Sequence, residues 1–81
     1  MSVSKEQVVL EEVLSHAIEA AREARARAKS DVAEMPVLNA YYDIITVALE
    51  QADLMGLQFV DKTIAAFDPN ELILRKPKAA A

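Results

Sequence analysis

Pro36–Gly56, PVLNAYYDIITVALEQADLMG, is the stretch whose reading decides the fold. It opens on proline, which suits the first turn of a helix, and closes on the chain's single glycine. Between them Val37, Leu38, Tyr41, Tyr42, Ile44, Ile45, Val47, Leu49, Leu54 and Met55 occupy almost every side of the helical wheel. One neighbouring helix covers only a stripe of about 100° or somewhat more, so these residues cannot all face the same partner. The segment is expected to be the enclosed helix of an assembly.

The remaining chain supplies one partner. Ser4 is placed to cap a helix, with Gln7 completing a capping box and Val3 and Val8 at the positions of a hydrophobic staple. No breaker follows before Pro36, which predicts a first helix from Lys5 to about Ala33. Its core stripe is Leu10, Leu14, Ala17, Ala21, Ala24 and Ala28, in steps of four and three. Val9, Val13 and Ala20 widen that face, and Ile18 lies on the other flank. Met35, preceding a proline, is expected to leave the helical region. The short connection makes the two helices antiparallel neighbours. Pairing them about it sets Ala28 against Tyr41 and Tyr42, Ala24 against Ile45, Ala21 against Leu49, and Leu14 near Met55. Small residues then meet large ones. The same pairing brings Arg22 and Arg25 toward Asp43, Glu50 and Asp53.

Past Gly56 the pattern favours a break over a continued helix, with Leu57 folding back on Ala52 in a Schellman stop. Asp61 then caps a short helix, Lys62–Phe67. Asp68-Pro69-Asn70-Glu71 starts another, reaching about Leu74. The expected architecture is therefore all-α, two long helices in a hairpin plus one or two short C-terminal helices, completing a four-helix core as a homodimer. Residues 1–74 form one domain and the last seven, RKPKAAA, a basic tail.

Composition narrows the function classes. The chain has 81 residues, 53% of them apolar, with no cysteine and a net charge of −4. Such a short chain without disulfides or thiolate metal sites relies on helix packing and oligomerisation. The charge is segregated: residues 22–30 carry +3, whereas residues 31–55 carry −5 with no base at all. Absence of a basic surplus disfavours a nucleic-acid binder, and no run is apolar enough to span a membrane. A cytoplasmic protein is expected.

Candidate chemistry is sparse. His16, flanked by Glu12 and Glu19, is the only histidine and lacks the Glu three residues earlier that a di-iron helix requires, since Val13 stands there. Ser15 adjoins His16 but points about 100° away on a helix. The layout LEQADLMGLQFVDKTIAAF resembles the all-α nucleotide pyrophosphohydrolases of the MazG type. Those enzymes hold Mg²⁺ through E-E-x-x-E on one helix and E-x-x-D on the next. Glu11 and Glu12 match the first pair, but Ser15 stands where the third Glu belongs, and Ala40 occupies the position three before Asp43. That resemblance implies a divergent carboxylate-metal hydrolase using Glu11, Glu12 and Asp43, with Glu50 nearby. A second alternative is DNA binding through Arg22, Arg25, Arg27 and Lys29.

The favoured expectation is a non-enzymatic protein without cofactor or metal that self-associates and engages a protein partner as adaptor, inhibitor or regulator. Its self-association surface is expected to use Leu38, Tyr42, Ile44, Val47, Leu54 and Met55, and its partner contact Leu72, Ile73 and Leu74.

Overall fold

A computed structural model describes residues 3–74, so the basic tail, residues 75–81, lies outside the described residues. Helix α1 spans Lys5–Ala28, α2 spans Met35–Leu54 and α3 spans Lys62–Ala66. Single 3₁₀ turns occupy Val32–Glu34 and Pro69–Leu72. No strand occurs among the described residues. The long helices pack as the expected hairpin.

Local chemistry explains each boundary. The Ser4 hydroxyl accepts from the Gln7 N–H at 3.1 Å. The Gln7 side chain does not return to Ser4, as a full capping box requires; it donates instead to Glu11 and to the Gln58 carbonyl, both at 2.8 Å. Helix α1 stops at Ala28, five residues before the expected end. Asp31 causes this: its backbone is extended and its carboxylate accepts from the Ala33 N–H at 3.0 Å. Short polar side chains offer the backbone this alternative to a continuing helix. Met35 remains helical despite the following proline and is the first residue of α2.

At the other end, Leu57 N–H donates to Ala52 C=O at 2.9 Å and Gly56 N–H to Asp53 C=O at 3.0 Å. Gly56 has φ of +70°. These are the paired bonds of a Schellman stop. Asp61 accepts from Thr63 and Ile64 N–H and caps α3. Asp68 accepts from Asn70 N–H, but the turn it starts is 3₁₀ and ends at Leu72, short of the helix expected to Leu74.

The core joins Leu14, Ile18, Ala21, Ala24 and Ala28 of α1 to Leu38 and Ile45 of α2 and to Ile64, Phe67 and Leu72 of the C-terminal arm. Ala21, Ala24 and Ile45 have no exposed surface, consistent with close backbone approach at the alanine stripe. Ile18, expected on a flank, is buried because α3 packs there: it shares a crevice with Ser15, Arg22, Thr63 and Ile64. Met55 is 82% exposed and so does not cover Leu14.

Candidate interaction surfaces

The arm after Gly56 is fastened to α1 by one carboxylate. Glu11 accepts from the N–H groups of Val60 at 2.9 Å and Asp61 at 2.8 Å, and from the Gln7 side chain. The Val60 N–H foremost, then Gln7 and the Asp61 N–H, hold the Glu11 carboxyl below its ordinary value of 4.5. Hydrogen bonds to the ionised form stabilise it relative to the acid. Further along, Arg22 Nε donates to Glu71 Oε1 at 2.7 Å and its guanidinium lies 5.3 Å from the Phe67 ring centre.

These contacts correct the expected charge pairing. Arg22 meets Glu71 of the arm instead of the acidic edge of α2. Arg25 forms no ion pair with that edge, and its enclosed Nε has no partner among the described residues. Arg27 lies 3.5 Å from Glu34. Two of the three arginines expected to form a DNA footprint are therefore engaged within the chain, leaving Lys29 exposed beside them.

Nor do the carboxylates of the pyrophosphohydrolase alternative assemble. Glu11 is occupied by the arm's backbone, while Glu12 points to solvent beside His16, 3.7 Å away. Among the described residues no three Asp, Glu or His side chains are grouped to hold a metal ion.

Of the residues expected at a self-association surface, Leu38 is corrected by the structure: it is 2% exposed and belongs to the chain's own core. Tyr42 is half-buried against that core. Ile44 (64% exposed), Val47 (56%), Leu54 and Met55 all face solvent. At the expected partner contact, Leu72 is buried and Leu74 half-buried, which leaves Ile73 exposed.

The exposed flank of α2 has a regularity of its own. Val37, Ala40, Ile44, Val47, Gln51 and Leu54 follow one another in alternating steps of three and four, and all are exposed. That is the 3.5-residue spacing of a coiled-coil seam, interrupted once by Gln51. The all-round apolarity of α2 hid it, because the inner stripe has the same period. On α1, Val9, Val13, His16 and Ala20 form a shorter stripe in steps of four, three and four; its valines are exposed and line a shallow apolar depression with His16. At roughly 100° per residue each stripe lies on the flank of its helix away from the arm. Because the helices are antiparallel, both stripes occupy one side of the hairpin.

The opposite side carries a groove. Helix α3 packs on α1 and not on α2, whereas the Pro69–Leu72 turn returns to α2, so the segment between Leu57 and α3 stands away from α2 and leaves a cleft of about 630 Å³. Leu49, Glu50 and Asp53 of α2 form one wall and Phe59 of the arm the other, over a floor of Ile64 and Phe67. The molecule thus has two separate surfaces, one flat and apolar, one concave with an acidic wall.

No family model matches the chain, and neither a curated protein nor a solved structure matches it. No helix is long and apolar enough to cross a membrane among the described residues.

Proposed function

We propose that this chain is a non-enzymatic helical interaction module that self-associates and works by engaging a protein partner. The observation carrying the proposal is the exposed seam Val37–Ala40–Ile44–Val47–Gln51–Leu54, with Val9 and Val13 beside it on the same side of the hairpin. Apolar side chains exposed along a stripe on a small monomer are a liability unless another surface covers them. A second copy provides the matching surface. Two-fold symmetry sets the same stripe against itself, and 3.5-residue spacing suits knobs-into-holes packing at a crossing angle of about +20°. Two hairpins joined this way make a four-helix core with both arms outside it. Gln51, the polar residue in the seam, then fixes register at some cost in stability, as buried polar seam residues do.

Sedimentation at micromolar concentration tests this. The wild-type chain is expected to sediment as a dimer whose melting temperature rises with protein concentration. Val47→Lys and Leu54→Lys place charges in the seam without touching the hairpin core, and are expected to give helical monomers. A wild-type chain that is a well-folded monomer at that concentration overturns the proposal.

A further inference from the structure

The groove between α2 and the arm has features that self-association does not explain. It lies on the side of the hairpin opposite the seam, so a dimer formed through the seam leaves it open. Its volume, about 630 Å³, falls within the roughly 300–1,000 Å³ typical of sites that accept a ligand or a few anchoring side chains. Ile64 and Phe67 form the floor and are almost fully buried, while Leu49 and Phe59 are half-buried on either side. Bulky apolar groups entering there would meet aromatic and aliphatic carbon.

The charged groups are one-sided. Glu50 and Asp53 stand three residues apart on the α2 wall, which puts them on adjacent turns of one face. Neither has a cation within ion-pair distance among the described residues. Helix α2 carries no Lys or Arg at all. Deeper in the wall, the Thr46 hydroxyl is enclosed and has no hydrogen-bond partner among the described residues. A hydroxyl sealed from water without a partner is uncommon in folded proteins. An anionic ligand would be repelled by this wall, and a purely apolar one would leave the carboxylates unpaired.

We infer that the groove binds a cationic amphipathic segment of a partner protein, its apolar side chains on Phe59, Ile64 and Phe67 and its Lys or Arg side chains beside Glu50 and Asp53. Helical or strand-like peptides recognised in this manner place anchors in an apolar cleft while charges at its edge set orientation and specificity. The chain's own basic tail, with Arg75, Lys76 and Lys78, shares the charge but offers only proline and alanine to the apolar floor. That composition favours an external segment.

The test uses the full chain, isotope-labelled, and a synthetic peptide with Leu at i, i+3, i+4 and i+7 and Lys bordering that stripe. A second peptide carries Glu for every Lys. The Lys peptide is expected to shift amide resonances of Thr46, Leu49, Glu50, Asp53 and Phe59, with affinity falling as salt is added. The Glu peptide is expected not to bind. Glu50→Lys with Asp53→Lys should weaken the Lys peptide at least about tenfold. Ala65→Trp, which fills the groove mouth from an exposed position, should weaken it without altering charge; both variants are checked for unchanged helicity.

Equal binding of both peptides, shifts centred on Ile44, Val47 and Leu54, or no binding of the Lys peptide overturns the inference. So does a full chain with Arg75→Gln, Lys76→Gln and Lys78→Gln that alone binds the peptide, since the tail would then be the natural occupant. A monomeric wild-type chain that still binds in the groove would reject the dimer and leave this inference standing.

Discussion

Glu11 accepts the backbone N–H of Asp61 at 2.8 Å, and the carboxylate of Asp61 in turn caps α3 by accepting from Thr63 and Ile64. Two acids fifty positions apart in sequence thus act in series. The first holds the loop on α1, and the second starts the helix that the loop delivers. The arm's position, and with it the far wall of the groove, depends on this relay.

Glu11→Gln should therefore loosen the arm more than the hairpin. Hydrogen exchange is expected to accelerate at Val60, Asp61 and α3 while the centres of α1 and α2 stay protected. The sign with pH follows from the lowered pKa of Glu11. A group whose pKa falls on folding stabilises the fold above its unfolded value, near 4.5 here, and that contribution is lost as pH drops through the folded value. Melting curves of wild type and Glu11→Gln should thus differ at pH 7 and converge in acid. A difference that is constant down to pH 2 to 3 would contradict the assignment.

Gly56→Ala tests the helix stop. An added Cβ meets no atom within 4 Å, so the penalty comes only from the φ of +70°. Holding an L-residue in the left-handed region costs about 1–2 kcal/mol. Urea unfolding should show that loss, and Gly56→Asn a smaller one, since Asn tolerates the conformation better.

Arg22 joins α1 to the arm in two ways, through Glu71 and over Phe67. Its side chain is about half exposed, which limits the stabilisation to about 0.5–1 kcal/mol. Arg22→Lys should recover little of it, because the hydrogen bond comes from Nε, a donor that lysine lacks at that position. A double-mutant cycle with Glu71→Gln measures the coupling; zero coupling would show the contact contributes nothing in solution.

Ala24→Leu tests the close approach of the hairpin. Ala24 has no exposed surface, and forcing a larger side chain into a filled interface costs about 1–3 kcal/mol. A neutral or stabilising effect in urea unfolding would mean that α1 and α2 are held apart enough to admit it.

Much of this was legible in the sequence for a common reason. Ser4, Gly56, Asp61 and Asp68 act on backbone groups two to five residues away, so their roles are written in adjacent positions. The alanine stripe and the need of α2 for cover on more than one side were legible from periodicity. Asp31 was also local, yet its stop signal was masked by the absence of Gly or Pro before Pro36. The outer seam of α2 separates from the inner stripe only once Leu38, expected on the outside, is placed in the core.

By itself, then, the sequence determined the all-helical hairpin, its alanine-lined contact and the break at Gly56, because these depend on propensity, spacing and capping within one or two turns. Only the tertiary structure decided where the arm lies. That placement rests on Glu11 with Val60 and Asp61, and on Arg22 with Glu71, contacts between groups about fifty residues apart. No local pattern chooses among the available carboxylates, since the choice depends on which of them the packed hairpin brings within hydrogen-bond reach. The groove exists as a result: α3 is fastened to α1, and the stretch of α2 opposite it is left uncovered until the Pro69–Leu72 turn returns to α2.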